Sequence, residues 1–418
     1  MAHLLMVESW VGSMSRLLPR AVREGGHEFT FLTRDLHHYL RAAPEGVGHP
    51  LLAARHVLTA DTNDAELLLP FAERAHASLR FDGVITSCDY YLPVAARIAA
   101  ALNLPGPTPE AVVNACRKDA TRRILAEAGV PGPRFAVCGD HEEAVRAARE
   151  IGFPLVLKPV DLCAGMLVRR VDDETGLADA HRALMDFPVN ARGQARAPVA
   201  LLEELMHGPE VSVETVTFAG RTEVVGVTDK TTGGAPAFVE TGHMFPAALT
   251  EQDERAARET AVRAVEALGL DAVVAHTEVK LTPDGPRVVE VNPRPAGNRI
   301  TELVRHVTGI DLAAACVSVA LGHAPDLRPR ATGLHSAAIG FLVPGAAGVL
   351  EGVDGVDEVG EGDGVLEIGV ATPGTRVGVA SDNNEYLGHV MAGDPDGPGA
   401  RADVEALLAR LRPQVVNR

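Results

Sequence analysis

The sequence predicts an α/β protein, α+β in part, built as several domains. Three observations carry this reading. Through the first hundred residues short apolar strands alternate with helical segments, the pattern of a parallel sheet with helices on its faces. Between 200 and 291 strands dominate, interrupted by one long helix. After Pro329 Gly-rich short strands take over. The chain has 418 residues, 46 % hydrophobic and 23 % charged. That is material for about two or three domains at roughly 150 residues each.

In chain order, His3 to Val7 is an apolar strand. Leu17 to Arg23 is helical and stops at Gly25-Gly26. Glu28 to Thr33 is a second strand, and Phe81 to Thr86 another, followed by a helix from Pro93 to Leu102. Leu104-Pro-Gly-Pro-Thr-Pro-Glu110 is a turn-rich boundary. A helix over 109–128 ends at Gly129-Val-Pro131. A helix near 141–151, a strand Leu155 to Lys158 and a loop through Gly165 lead to a strand near 167–171. Strands follow at 200–205, 210–218, 222–229, 273–281 and 286–291. The helix 252–268 between them places Val262, Val265 and Leu268 at helical spacing. Short strands fill 335–392, and Gly393 to Gly399 links them to a final helix near 401–411.

Ligands of parallel α/β sheets gather beyond the carboxyl ends of the strands. Glu8-Ser9 and Ser87-Asp89 occupy such ends, with helix capping and turn formation as the alternative roles. The net charge of −17 argues against nucleic acid or anionic membrane as partners. No apolar run approaches the roughly 20 residues of a membrane helix. The N-terminal MAHLLMVESW has no basic segment, which predicts no signal peptide and a cytoplasmic protein. The five cysteines are scattered without CxxC spacing, so neither a disulfide framework nor a zinc site is expected.

The most informative segment is 271–299. Two strands flank Thr282-Pro-Asp-Gly285, a hairpin signal. A turn centred on Asp284 sets Thr282 opposite Pro286 and Glu278 opposite Glu290, their Cβ atoms about 5 Å apart. Asn292 shares that face. Two carboxylates so close need a proton or a cation between them. Two Glu and an Asn suit Mg²⁺ or Mn²⁺ rather than zinc. Solvated charges on an exposed hairpin are the alternative. Arg294 follows, able to meet a phosphate bidentately.

Two lysines stand out from a lysine-poor background. Lys118 lies on the 109–128 helix. Lys158 ends an apolar strand, where a buried ammonium needs an anionic partner. ATP phosphates or a structural ion pair would serve. In Leu201-Leu-Glu-Glu-Leu-Met-His-Gly-Pro-Glu210, backbone groups from Glu204 through Leu205 to Met206 could read an adenine edge. The Glu210 carboxylate could accept both ribose hydroxyls.

The ordered set Lys118, Lys158, Glu203-Glu204, Gly208-x-Glu210, Glu278 and Glu290-x-Asn292-x-Arg294 resembles the ATP-grasp superfamily of carboxylate–amine ligases over about 105–330. Phe238-Val-Glu-Thr-Gly-His-Met-Phe-Pro-Ala247, Ala275-His-Thr-Glu-Val-Lys280 and Pro293-Arg-Pro-Ala-Gly297 are similar to its L-amino acid ligase branch, the dipeptide synthetases. The resemblance implies an ATP-grasp fold with a Rossmann-like pre-grasp domain over 1–108. The ATP-grasp domain would span 109–330, its lid about 130–200, and a strand-rich domain 331–418. It implies that Lys118 and Lys158 hold ATP phosphates. Glu203, Glu204, Leu205, Met206 and Glu210 would line the adenosine pocket. Glu278, Glu290 and Asn292 would hold two Mg²⁺ ions, and Arg294 would grip an acyl phosphate. Glu240 and His243 match substrate-facing positions, His243 or Glu240 serving as base. Two departures stand out. The phosphate-covering loop Asp161-Leu-Cys-Ala-Gly-Met166 is poor in Gly and Ser, and its Cys163 has no assignable His partner for thiol catalysis. Asn298 follows Gly297 where the branch carries a bulky aromatic, which points to a larger or more polar acyl substrate.

The implied reaction makes an acyl phosphate from ATP and a carboxylate, and then an amide on attack by an amine. Its partners are ATP and small-molecule acid and amine substrates, with a homodimer left open. A carboxylase or purine-pathway ligase of the same superfamily is the nearest alternative. A non-catalytic nucleotide-binding regulator is the second.

Overall fold

The computed structural model describes residues 1–10, 12–40, 48–233 and 237–416. The first unit is a parallel sheet in the order His56–Thr59, Glu28–Thr33, His3–Val7, Gly83–Ile85. Successive residues of a strand point to opposite faces, and both faces here are covered. Leu4, Met6, Phe29 and Phe31 pack with Leu18 and Val22 of helix Met14–Glu24. Leu5, Val7 and Leu32 pack with Tyr91 and Ile98 on the other side. Burial on both faces explains why these strands read as unbroken apolar runs. The edge strand His56–Thr59 is half-buried in alternation and escaped the sequence reading.

The expected helix 109–128 is two helices, Pro109–Cys116 and Lys118–Glu127. Arg117 between them is extended (φ −112°, ψ 105°). The break lets the Lys118 amide donate to the Val160 carbonyl at 2.9 Å. A four-stranded antiparallel sheet follows, ordered Phe135–Cys138, Ala200–Glu204, Leu155–Pro159, Arg169–Val171. Helices His141–Ile151 and Glu174–Met185 bury Ala144, Ala148, Leu177 and Leu184 against it.

The largest sheet has eight strands in the order Gly285–Asn292, Val273–Thr282, Glu210–Phe218, Arg221–Thr232, Glu240–Phe245, Ser336–Leu342, Gly388–Asp394, Val365–Val370. Helix Glu251–Ala267 covers part of it through Ala257, Ala261, Ala264 and Val265. The segment after 330, read as a strand-rich domain, adds its strands to this same sheet. It also forms a three-stranded sheet of Arg376–Val377, Gly348–Asp354 and Arg412–Val416. The last two residues of that span, 417 and 418, lie outside the described residues. The final helix is Ala400–Leu408, shorter than expected because Arg412–Val416 pairs as a strand.

Helices Ile300–Thr308 and Leu312–Ala320 are apolar enough together to resemble a membrane span, but they bend by 101°. Leu312–Ala320 is buried against both the large sheet and the N-terminal sheet, which makes it the apolar joint between them. No single helix among the described residues is long and apolar enough to cross a membrane.

The register of the 271–299 hairpin corrects one detail and keeps the consequence. Thr282 faces Gly285, not Pro286. A bulge between Glu278 and Val279 on the pairing ladder then shifts the register by one residue, so that Glu278 still faces Glu290 and His276 faces Asn292. A bulge sets two residues of one strand against one of its partner, here restoring the pairing.

Glu8 is 1 % exposed and left-handed (φ 52°). Its Oε1 accepts from the Arg34 amide at 2.8 Å and the Thr62 hydroxyl at 2.7 Å. Its Oε2 accepts from Thr33 at 2.9 Å and Tyr39 at 2.5 Å. This strand-end residue is therefore a structural tie among three loops. Replacing it with alanine strands buried donors, each costing about 1–3 kcal/mol. Glu8→Ala is expected to lose about 3 kcal/mol or more in urea unfolding, and Glu8→Gln less, because the amide keeps one acceptor oxygen.

Candidate active site

One cavity of about 580 Å³ opens where the three units meet. It is lined by Lys118, Lys158, Glu203, Glu204, Leu205, Met206 and Glu210 among the residues expected to hold ATP. Glu278, Glu290 and Asn292 of the metal set, and Glu240, Arg294, Gly297 and Asn298 of the substrate set, line it too. His243 alone of the expected residues does not. Its side chain is fully buried behind Glu240 and edge-on to Phe341 at 5.6 Å between centroids. Its Nε2 lies 3.1 Å from Glu240 Oε2, yet neither ring nitrogen makes a geometrically sound hydrogen bond. His243 therefore reaches the cavity only through Glu240.

The chain contains four lysines, and all four meet here. Lys118 Nζ lies 2.8 Å from Glu290 and donates to the Leu162 carbonyl at 2.6 Å. Lys158 Nζ lies 2.7 Å from Glu203, which also accepts from Arg122 Nε at 2.6 Å. Burial pushes the Lys158 ammonium below its usual range, because the pull of Glu203 is met by repulsion from Arg122 and Lys118. Lys158 is thus a cation short of negative charge.

Lys230, 5 % exposed, is the reverse case. It touches Glu278 at 2.6 Å, Glu240 at 3.0 Å and Glu210 at 3.1 Å. Burial opposes its charge, but Glu240, Glu278 and Glu210 hold its pKa well above the usual value. Burial likewise pushes the Glu240 carboxyl up, and Lys230 more than reverses this. Lys280 reaches the other oxygen of Glu210 at 3.1 Å. His276 bonds Glu214 at 2.9 Å and lies 3.3 Å from Glu278. Burial lowers its pKa, but Glu214 raises it to about 9, so the imidazole is charged at neutral pH.

The expected adenosine clamp is the turn after Ala200–Glu204. The Glu204 carboxylate is turned to Arg134 at 2.8 Å and Arg287 at 2.5 Å. The Glu203 carboxylate is held by Lys158 and Arg122. Gly208 sits at φ +138°, and a Cβ there would lie 1.9 Å from the Leu281 carbonyl oxygen. Only glycine permits this close approach to the hairpin.

Glu278 and Glu290 face each other with Asn292 beside them, and together they offer only oxygen. Among the described residues no group of three or more His, Cys, Asp or Glu is arranged to hold a metal by itself. Such a set fits Mg²⁺, which takes one or two carboxylates and completes its shell with phosphate and water.

Residues of the N-terminal unit complete the site. Asp89 accepts from Arg294 Nε at 2.7 Å and from Trp10 Nε1 at 2.6 Å. Arg294 also donates to the Pro295 carbonyl at 2.9 Å. Two asparagines hold Glu240 in place. Asn298, at φ +45°, donates to Glu240 Oε2 at 2.5 Å, and Asn383 accepts from the Glu240 amide at 2.9 Å. The Asn383 amide donates to the Ala164 carbonyl at 3.0 Å, in the loop 161–166 expected to cover phosphates. That loop is therefore tied down by the C-terminal segment despite its few glycines. Of the site residues not expected from the sequence, Lys230 and Lys280 carried a signal, as the remaining lysines of a lysine-poor chain, and Trp10 and Asn383 carried none. Asp89 stood among the strand-end residues, with capping as its alternative role.

Lys158→Met removes a cation that has too little counter-charge and leaves Glu203 its Arg122 partner. The expected outcome is an ATP Kd raised about tenfold or more, the scale of one charge-assisted bond, with a melting temperature lowered by only a few degrees. Nucleotide titration and thermal unfolding of the same variant check it.

Comparison with known proteins matches three stretches of the chain. Residues 20–106 match an ATP-grasp N-terminal domain, 151–302 an ATP-grasp domain, and 340–416 the L-amino acid ligase C-terminal domain 2. The uncharacterized protein y4rH of Sinorhizobium fredii is 29 % identical over 94 % of this chain and 80 % of its own length. Human carnosine synthase 1 is 29 % identical over 79 % of this chain, which spans 41 % of that protein. The crystal structure of an L-amino acid ligase from Bacillus licheniformis superposes with a TM-score of 0.82 at 24 % identity, covering 100 % of this chain and 99 % of the other. The chain thus carries an ATP-grasp domain over 151–302 and shares the fold of an L-amino acid ligase.

Proposed function

We propose that the protein joins a carboxylate, of an amino acid or related acid, to an amine at the expense of ATP, releasing ADP and phosphate. The observation that supports this most is the convergence of Lys118, Lys158, Glu278, Glu290, Asn292 and Arg294 on one cavity that Glu240 and Asn298 also line.

A carboxylate is a poor electrophile because its leaving group would be an oxide. Attack of a carboxylate oxygen on the γ-phosphorus of ATP expels ADP and leaves an acyl phosphate. Attack of a neutral amine on the acyl carbon then expels phosphate and forms the amide. Most of the protein's work in such a reaction is positioning and charge compensation. In this reading Lys118 and Lys158 leave Glu290 and Glu203 for the phosphates. Glu278, Glu290 and Asn292 hold Mg²⁺, which supplies charge neutralisation on the triphosphate. Leu205 and Met206 meet adenine through their backbone, and Glu210 meets the ribose. Arg294, held through Nε by Asp89, turns its remaining N–H donors to the acyl phosphate. Glu240 pairs with an ammonium or a hydrogen-bond donor of the acyl substrate, and His243 orients it from behind. Asn298 leaves room and a polar edge where an aromatic side chain would fill the pocket.

The test is ADP release over amino acids, singly and in pairs, in bicarbonate-free buffer, with mass spectrometry of products. A product weighing the sum of two substrates less water supports ligation. Turnover that requires bicarbonate and ignores every amine would assign the carboxylase chemistry instead. Glu290→Ala is expected to lower Mg²⁺-dependent turnover by at least about a hundredfold, the scale of losing an electrostatic stabiliser, with its circular dichroism unchanged.

A further inference from the structure

Arg192 is the cation in this cavity for which no role has been assigned. It sits on a short turn of the lid, where Asn190 and Gln194 bond each other and Val189 bridges Ala195. The turn reaches across to the N-terminal unit. The Arg192 carbonyl accepts from Arg34 and from Asn63 at 2.8 Å, and its guanidinium donates through Nη2 to the Ser9 carbonyl. The guanidinium lies 5.6 Å from the Trp10 ring centroid and 5.4 Å from that of Tyr39. Arg192 is 9 % exposed and lines the cavity.

What it lacks is a counter-ion. No carboxylate among the described residues pairs with it within 4.0 Å. Glu8 is close enough to influence it, but both Glu8 oxygens are already engaged by Thr33, Arg34, Tyr39 and Thr62. A buried charge without a partner is costly. The aromatic faces offset part of that cost, and the Cys88 thiol beside the guanidinium, pushed up to about 12 by burial, adds no counter-charge at neutral pH. Its position says which substrate would meet it. Trp10 bonds Asp89, and Asp89 holds Arg294. Arg192 therefore lies on the N-terminal side of Arg294, with Glu240 and Asn298 on the sheet side.

We infer that Arg192 is the residue that binds the carboxylate of an amino acid acceptor, and so selects acids over their carboxamides. This rests on the ligase reading above. The lid turn carries Arg192 to the N-terminal unit, so acceptor binding and lid docking use the same residue.

The test compares wild type with Arg192→Gln and Arg192→Lys, using L-amino acids and their carboxamides as acceptors in the ADP-release assay. In wild type the carboxamides should show a KM about tenfold or more above the acids, the scale of a charge-assisted hydrogen bond. That gap should close in Arg192→Gln and be partly kept in Arg192→Lys. A gap that survives in Arg192→Gln, or an equal loss for acids and carboxamides, overturns the inference and leaves Arg192 as a lid fastener. Thermal shift with the same compounds decides it without turnover. Stabilisation by acids over carboxamides that is lost in Arg192→Gln upholds the site, and equal shifts or none overturn it. If no acid and amine release ADP, the ligase reading falls, and the thermal-shift comparison still decides Arg192.

Discussion

Buried charge must be paired, and in this protein that constraint is concentrated in one place. Every lysine of the chain is held by glutamates around a single cavity: Lys118 by Glu290, Lys158 by Glu203, Lys230 by Glu210, Glu240 and Glu278, and Lys280 by Glu210. These pairs come from two separate sheets and one helix start, so they form only when the four-stranded sheet, the large sheet and the break at Arg117 are all in place. A buried ion pair is weak evidence for stability, since desolvation offsets much of the attraction. Its concentration here is better understood as a charge arrangement kept ready for a ligand of high charge.

The arrangement is uneven, and the unevenness has chemical direction. Lys158 has Arg122 and Lys118 as neighbours and only one carboxylate, so phosphate oxygens would relieve it. Lys230 sits among three carboxylates and has no such need. In the proposed reaction the first gives up its glutamate for the triphosphate, while the second holds Glu240, Glu278 and Glu210 in position. Neighbouring units brace this centre. The N-terminal unit supplies Asp89 to fix Arg294, and the C-terminal segment supplies Asn383 to tie Glu240 to the loop 161–166.

Much of this was legible in the sequence, for identifiable reasons. Apolar runs and alternation set the strands, and the Thr282-Pro-Asp-Gly285 turn set the hairpin. Even there the pairing of Glu278 with Glu290 followed from a turn placed one residue off, which a bulge then compensated. Bulges leave no reliable mark in sequence, because they are settled by the neighbouring strand. Lys158 was visible because it ends an apolar strand. Lys230 lies inside strand Arg221–Thr232, and three acids distant in sequence decide its meaning. Asp89, Trp10 and Arg192 join the site by packing between units, which no local pattern encodes. Strand Glu240–Phe245 was not among the expected strands because its Glu, Thr, Gly and His are polar or small, and its neighbours in the sheet make it a strand.

Because the chain has only four lysines, the charge exchange at the centre of this account can be observed directly. Protein labelled with ¹³C and ¹⁵N at lysine should give four side-chain ammonium signals by NMR, assignable by single Lys→Arg variants. On addition of Mg²⁺ and a non-hydrolysable ATP analogue, the Lys118 and Lys158 signals should move strongly, as glutamate partners are replaced by phosphate. The Lys230 signal should move least. Four signals unmoved by nucleotide, or a shift confined to Lys230, would contradict the account.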